Sequence, residues 1–200
     1  MQIVAEALAQ RADTVKAVIE VGAGTGKLLA QLAARFPNMH FTGVDIAPAM
    51  VNYATEKYLL DNTRYMLADV ADGAVLPTSQ FVYSVDVIHH IHNPLRCFQV
   101  VRQALRPGDV WLALEPNIFN PAVFVGQERM RRAGFDEDHL RPWVIEPLAR
   151  AAGFAVAERR YVFMFPSHLR QLPPALRQIE RICERFPLCG GNVVHLFVAR

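Results

Sequence analysis

Residues 18–26, VIEVGAGTG, decide the fold of this chain. Apolar residues around a single acid, Glu20, run directly into glycines at positions 22, 24 and 26, and the helical pattern KLLAQLAARF follows at once. An apolar run that ends in glycines predicts a buried strand, a tight turn and the start of a helix. Glycines let a ligand approach the backbone, and the helix N-terminus behind them offers free N–H groups. The stretch therefore indicates a ligand-binding turn.

Two phosphate-binding motifs partly match this turn, and the sequence departs from each of them at particular positions. A P-loop needs G-x-x-x-x-G-K-[ST], but Val21 replaces its first glycine and Leu28 replaces its hydroxyl residue. A dinucleotide fingerprint needs G-x-G-x-x-G, and Lys27 replaces its third glycine. The pattern that remains is E-x-G-x-G-x-G.

This pattern resembles motif I of the class I S-adenosylmethionine (SAM)-dependent methyltransferases, in which the third glycine lies one place earlier than in the dehydrogenases. The resemblance covers residues 15–117. It includes the segments DVIHHIHNP and RQALRPGDVWLALEPN, the second with Asp109 in place of a family glycine. The resemblance implies SAM as the cofactor and methyl transfer as the activity.

Strand and helix patterns alternate five times along the first 115 residues, which predicts an α/β fold with a doubly wound parallel sheet. The strands include residues 17–21, 40–45 and 81–88, with a turn at 106–109. Two final strands without a full crossover predict an antiparallel pair at one edge, so that a mostly parallel seven-stranded sheet results. The helix after Pro48 is expected to bury Met50, Val51, Ala54 and Tyr58. We expect one domain over 1–200, with an insertion at 117–141 and a helical excursion at 164–191.

Composition narrows the functional classes. The chain has 200 residues, of which 52% are apolar and 20% charged, as in soluble globular proteins. No apolar run reaches the roughly 20 residues of a membrane span, and the N-terminus does not resemble a signal peptide. The three cysteines are scattered and odd in number, which suggests reduced thiols in an intracellular compartment, so we expect a cytoplasmic protein. The net charge of +2 is too small to favour nucleic acid.

Two acids end neighbouring strands and are the candidate nucleoside partners. Asp45 ends strand two, where an acid can accept both hydrogen bonds of a ribose diol; it can also cap the helix that begins after Ala47. Asp69 ends strand three and can accept a hydrogen bond from an adenine amino group; it can also be a turn residue. The resemblance favours the two ligand-binding roles.

The resemblance implies further cofactor contacts. Glu20 would order the glycine loop and help to hold the amino group of the ligand, whereas a strand-end acid would otherwise be exposed. Ser84 and Val85 lie at the switch point of the sheet, where backbone contacts are expected. The remaining implied contacts are Gly22, Ala23, Gly24, Gly26, Ile46, Met50, Ala68 and Val70.

Candidate catalytic residues follow strands four and five. His90, His92 and Glu115 are candidate general bases, and Glu115 with Asn117 is expected to face the pocket mouth and bind an acceptor hydroxyl or amine. Three histidines in four positions also invite a metal hypothesis. We expect no metal site, because His89 and His90 should point apart and no cysteine or acid pair lies nearby in sequence.

The predicted function is SAM-dependent methyl transfer to a small-molecule acceptor by in-line displacement, with the oligomeric state left open. An N-P-P-[YF] tetrapeptide, common in enzymes that methylate amino groups of nucleic acids and proteins, is absent after strand four, where residues 84–87 read SVDV. Two alternatives remain. The chain could be a non-catalytic SAM-binding partner or regulatory protein, or, with Lys27 against it, a nicotinamide-dependent oxidoreductase.

Overall fold

A computed structural model describes residues 1–134, 142–162 and 186–200, together with Ala175, Gln178, Ile182 and Cys183. In this part of the chain the helices are α1 Gln2–Ala9, α2 Lys27–Arg35, α3 Pro48–Tyr58, α4 Pro94–Ala104, α5 Pro121–Arg132 and α6 Pro142–Ala151. The strands are β1 Ala17–Val21, β2 His40–Asp45, β3 Thr63–Leu67, β4 Ser79–Val85, β5 Leu105–Pro116, β6 Phe154–Val162 and β7 Asn192–Ala199.

The seven strands form one sheet in the order β3-β2-β1-β4-β5-β7-β6. The pairs among β1 to β5 are parallel, whereas β7 runs antiparallel to both β5 and β6. The predicted doubly wound, mostly parallel sheet with an antiparallel pair of strands at one edge is therefore confirmed. The strand order reverses direction between β1 and β4, which places the switch point at the carboxyl ends of these two strands.

Each face of the sheet packs its own apolar core. On one face, buried residues of α1 and α2 contact β1, β4 and β5 through side chains such as Leu8, Leu29 and Phe81. On the other face, α4 and α6 cover an aromatic cluster in which the ring centroids of Phe98 and Trp111 lie 4.6 Å apart. Both faces of the central strands are thus covered, which explains their nearly continuous apolar sequence.

Three local predictions were wrong. The fourth strand ends at Val85 rather than at residue 88, because Asp86 adopts a positive φ of 55° and Ile88–His90 form a 3₁₀ turn. The predicted turn at 106–109 lies within the bounds of β5, as an exposed stretch with Gly108 at φ 92°. Met50 is 40% exposed, and only Ala54 of the predicted face of α3 is buried.

The segments predicted as an insertion and an excursion are described only in part. Residues 117–134 contain α5, which begins at Pro121 after an Asn120 cap that accepts from the backbone of Ala122 and Val123. The rest of the insertion and most of residues 164–191, with the amphipathic helix expected there, lie outside the described residues. None of the helices in the described ranges is long and apolar enough to cross a membrane.

Candidate active site

A cavity of about 290 Å³ opens at the switch point of the sheet. It is lined by residues that follow or end β1, β2, β3 and β4: Val21, Gly22, Val44, Asp45, Ile46, Ala68, Asp69, Val70, Ala71, Asp86, Val87, His90, Ile91 and His92. The position is where open α/β sheets bind ligands. A wider open groove at the edge strand β3, lined by residues 64–66 and 75–77, contains no carboxylate or imidazole. The switch-point cavity is therefore the candidate site.

The glycine loop follows β1 and closes one side of this cavity. The N–H groups of Gly22 and Ala23 both donate to the carbonyl of Val44, at 2.8 and 3.0 Å, which fixes the loop against β2. Gly22 has φ +72°, and a Cβ placed there would lie 2.3 Å from Cγ2 of Val87. Only glycine combines this backbone conformation with this close approach.

Asp45 has a structural role in the loop as well as a place in the cavity. Its Oδ2 accepts from the N–H of Gly24 at 2.7 Å, and its Oδ1 accepts from the N–H of Ala47 at 2.9 Å. Asp45 does not cap α3, because the N-cap is Ala47 and no side chain makes a cap bond there. Its two backbone contacts still leave it able to bind a ligand, since each carboxylate oxygen has a second lone pair. The aspartate is held with both oxygens oriented by backbone donors.

Two further aspartates line the cavity. Asp69 accepts the N–H of Ala71 at 2.7 Å through Oδ1, so the turn interpretation also describes a contact that is present. Asp86 accepts a hydrogen bond from Nδ2 of Asn192 at 3.2 Å. Asp69 and Asp45 stand at the β2–β3 side of the cavity and Asp86 at the β4 side.

Glu20 lies inside the sheet and is 3% exposed, so the alternative of an exposed strand-end acid does not apply. It is paired with Tyr83 in the register of β1 and β4. Burial raises the pKa of Glu20 to about 8, and the nearby hydroxyl of Tyr83 partly offsets this effect. Oη of Tyr83 and Oε2 of Glu20 nevertheless have no hydrogen-bond partner in the described part of the chain. We therefore treat Glu20 as protonated and neutral at pH 7.

Glu115 does not face the pocket mouth, and this expectation was wrong. It is 1% exposed and accepts the backbone N–H groups of residues 87–89 at 3.0–3.3 Å. Nδ1 of His89 lies 2.7 Å from its Oε2. Because the carboxylate already accepts three backbone donors, Nδ1 serves as a fourth donor. Glu115 thus anchors the segment after β4 and is poorly placed to act as a general base.

Asn117 is also occupied by the protein itself. It is 1% exposed, and its Nδ2 donates to the carbonyls of Pro187 at 2.5 Å and Gly190 at 2.7 Å. The side chain therefore holds the loop before β7 and is not offered to an acceptor. A strand-end polar residue that carries no ligand is common where a loop must be tied to a sheet.

The histidines follow a different geometry from the one expected. His89 is buried, and its ring centroid lies 4.0 Å from that of His90, so the two rings do not point apart. His90, the last residue of the 3₁₀ turn, and His92, two residues later, line the cavity, whereas His89 is buried. Within the described ranges, no cluster of three or more His, Cys, Asp or Glu side chains is arranged to hold a metal ion.

The structure brings half of the predicted residues to the cavity. Those that line it are Gly22, Asp45, Ile46, Ala68, Asp69, Val70, His90 and His92. Those that do not are Glu20, Ala23, Gly24, Gly26, Met50, Ser84, Val85 and Glu115. Among the second group, Ser84 is fully buried and its Oγ accepts from Nε1 of Trp111 at 3.2 Å.

Asp86 is the polar residue of the described cavity lining that reasoning from sequence missed. The apolar pattern FVYSVDVI placed it inside a strand, whereas it is the first residue after β4. An aspartate that interrupts an apolar strand pattern is the signal that would have found it, since an unpaired buried acid is unfavourable inside a sheet.

Comparison with known proteins agrees with this architecture. The family described as "Methyltransferase domain" matches residues 18–108. The chain is 29% identical over 110 residues to a malonyl-[acyl-carrier protein] O-methyltransferase of Paenibacillus sp. (strain JDR-2), covering 51% of this chain and 40% of that protein. It is 29% identical over 132 residues to a trans-aconitate 2-methyltransferase of Rhodopseudomonas palustris (strain BisB18), covering 66% and 48%.

The solved structures add a match over nearly the whole chain. A SAM-dependent methyltransferase from Mesorhizobium loti superimposes with a TM-score of 0.73 and 16% identity, covering 98% of this chain and 96% of that one. At this identity the likeness concerns the fold. The chain spans about half or less of the length of the two curated relatives.

The burial of Glu20 predicts a pH-dependent stability. Because its pKa is raised from 4.5 to about 8 on folding, the folded state holds a proton that the unfolded state has lost between these values. This contribution is present below about pH 4.5 and is lost as the pH rises through 8. We expect the free energy of unfolding to fall by about 3 kcal/mol between pH 5 and pH 8 from this group.

Urea unfolding of the wild type and Glu20→Gln at several pH values measures this effect. The glutamine is isosteric with the protonated acid, so its stability should depend less on pH and exceed that of the wild type above pH 8. Parallel pH profiles in the two proteins would show that Glu20 is ionised in the folded state.

The Glu115 anchor predicts a large loss of stability in Glu115→Gln. The new amide would direct N–H groups at a site that holds four donors, and one buried partner would be left unpaired. We expect a loss of about 3 kcal/mol in urea unfolding. Glu158→Gln is the matched control, since its side chain is 48% exposed and pairs with Arg160 on the surface; it should change stability by less than about 1 kcal/mol. Equal stabilities of the two variants would contradict the anchoring role.

Proposed function

We propose that the chain is a class I SAM-dependent methyltransferase, as its family match over residues 18–108 and its relatives indicate, and that it transfers a methyl group from SAM to a small-molecule acceptor by in-line displacement. The observation that carries the proposal is the convergence of the glycine loop, Asp45 and Asp69 on one cavity. These features come from three separate strand ends. A cap or a turn at each position separately would not require that they share a cavity.

The residues present fit an adenosine-containing cofactor. A Cβ at Gly22 would fill the space between the loop and Val87, so the loop approaches the neighbouring segment as closely as the backbone allows. In the proposed arrangement Asp45 accepts from the ribose hydroxyls, and the free oxygen of Asp69 accepts from the adenine amino group. The apolar side chains of Ile46 and Val70 supply contacts for the flat base.

SAM supplies a methyl group on a positively charged sulfur, which is already a good leaving group. The task of the chain is then to hold the acceptor in line and to exclude water, because orientation and removal of the hydration shell lower the barrier. The 3₁₀ turn anchored by Glu115 holds the segment that closes the β4 side of the cavity. His90 and His92 line that side together with Asp86, and these three side chains are the candidate proton acceptors.

The acceptor class is proposed from the cavity and from the sequence around β4. The concave site lies near the lower end of ligand-pocket volumes, and the proposed cofactor occupies part of it, so only a small acceptor group enters the room that remains. Residues 84–87 read SVDV, without the N-P-P-[YF] pattern. The two curated relatives act, by their names, on a malonyl-carrier protein and on trans-aconitate, so carrier-bound acids and free acids both occur among similar proteins.

Calorimetric titration with SAM and with its demethylated product, S-adenosylhomocysteine, tests the proposal. We expect both to bind the wild type and to bind Asp45→Asn at least about tenfold more weakly, because two hydrogen bonds to a charged group are weakened. The asparagine keeps only one of the two acceptor oxygens that bind Gly24 and Ala47, so urea unfolding of the variant is measured alongside the titration to show that it is folded. Asp61→Asn, an exposed acid after α3, is the matched control and should bind like the wild type.

Two outcomes separate the alternatives from the proposal. Binding of NADH without binding of SAM would replace the methyltransferase activity with nicotinamide chemistry. Tight SAM binding without transfer of labelled methyl to any small molecule of a cell extract would favour a non-catalytic SAM-binding protein.

A further inference from the structure

The cavity has two sides with different surroundings. The strand order puts β2 and β3 on one side of β1 and β4 on the other. Asp45 and Asp69 belong to the first side, and Asp86, His90 and His92 to the second. If the two aspartates hold ribose and adenine as proposed, the β4 side is left for the sulfur end of the cofactor and for the acceptor.

Asp86 differs from the other two aspartates in what it binds. Asp45 accepts backbone N–H groups from the glycine loop and from its own loop, and Asp69 accepts one from its own loop. Asp86 accepts from a side chain, Nδ2 of Asn192, which comes from the start of β7. Within the described ranges no turn-forming bond explains why an aspartate stands at position 86. Three lone pairs of its carboxylate remain available to a ligand.

The backbone at Asp86 is strained. It is the one non-glycine residue of the described chain with a positive φ, at 55°. Aspartate tolerates this region better than most residues, yet the conformation is less favourable than for glycine. Strain at a cavity-lining acid points to a use for its side chain.

The charges around the cavity select the kind of acceptor. Its described lining includes three aspartates and two histidines but neither lysine nor arginine. An acidic lining repels a carboxylate and attracts a group that can donate a hydrogen bond or carry positive charge. An acidic lining of this kind does not suit acid substrates such as those named for the two curated relatives.

We propose that Asp86 is the acceptor-side carboxylate of this site, and that the acceptor is an amine or a hydroxyl rather than a carboxylate. This inference rests on the proposed function. The lone pair of the acceptor nitrogen or oxygen forms the new bond to the methyl carbon, and the carbon–sulfur bond breaks with its electron pair remaining on sulfur. The acceptor's N–H or O–H bond then breaks, and its proton passes to the carboxylate of Asp86.

The electrostatic surroundings of Asp86 suit this role. Asp86 is exposed at the cavity wall, while the groups around it remove part of the water from its carboxyl group. Burial and then the charge of Glu115 raise the pKa of Asp86 to about 6, whereas His89, His90 and the bond from Asn192 act in the opposite direction. A carboxylate with a pKa near 6 is ionised at pH 7 and is a stronger base than an ordinary aspartate.

A pair of ligands tests the proposal without knowledge of the acceptor. Sinefungin is a SAM analogue in which a carbon that bears an amino group replaces the methylated sulfur, and S-adenosylhomocysteine lacks that amine. We expect the wild type to bind sinefungin more tightly than S-adenosylhomocysteine. In Asp86→Asn the ratio of the two affinities should fall about tenfold, with little change in the affinity for S-adenosylhomocysteine. Asparagine also tolerates a positive φ, so the variant keeps the local fold.

Asp69→Asn is the matched control, because it should weaken both ligands to a similar degree and leave the preference unchanged. A preference unchanged in Asp86→Asn would overturn this inference while leaving the proposed function intact. Binding of neither ligand to the wild type would overturn both.

The pH dependence of the preference gives a second readout. In the wild type the preference for sinefungin should decline as the pH falls through about 6, because Asp86 gains a proton and loses its charge. In Asp86→Asn the preference should be flat over this range. A decline that persists in Asp86→Asn would assign the titration to a histidine such as His90 and would contradict the role of Asp86.

Discussion

The carboxylate of Asp45 fixes the geometry on which the candidate site depends. It connects the loop after β1 to the loop after β2 by accepting from Gly24 and from Ala47 at the same time. The loop after β4 is then held on the opposite side of the glycine turn, where Val87 lies against Gly22 with no room for a side chain. Three loops from three strands are thereby set by one acid and one glycine. The walls of the cavity are thus held by contacts within the protein itself, as preorganisation for binding requires.

Much of the fold could be predicted from the sequence because its signals are local. The bounds of β1, α2 and β2 agree with expectation residue by residue, since apolar runs there end at Gly22, Pro37 and Asp45. The end of β4 could not be predicted in this way. Val87 and Ile88 continue the apolar pattern of the strand, although they belong to a turn that packs partly on the core and partly on the cavity. A continuous run of apolar residues indicates burial, and a buried turn and a buried strand both produce such a run.

Polar residues at strand ends were harder to interpret than glycines. Asp45, Glu115 and Asn117 occupy similar positions in the sequence, just where a strand stops. In the structure Asp45 lines the cavity, whereas the side chains of Glu115 and Asn117 form hydrogen bonds with backbone groups of distant segments. The difference depends on which donors and carbonyls the tertiary fold brings close, and those come from residues up to about 70 positions away. Local sequence therefore identifies such residues as important without distinguishing anchors from ligand contacts.

The position of β7 has a consequence for how the protein is made. It follows the other six strands in the chain, yet it lies between β5 and β6 and pairs with both. While the chain is being synthesised, β5 and β6 have to wait with unpaired edges until residues 192–199 have left the ribosome. The bond between Asn192 and Asp86 forms only at that stage, across 106 positions of sequence. The sheet is therefore completed, and Asp86 held by Asn192, only when β7 pairs with β5 and β6, so a partly synthesised chain would expose sheet edges before this bond exists.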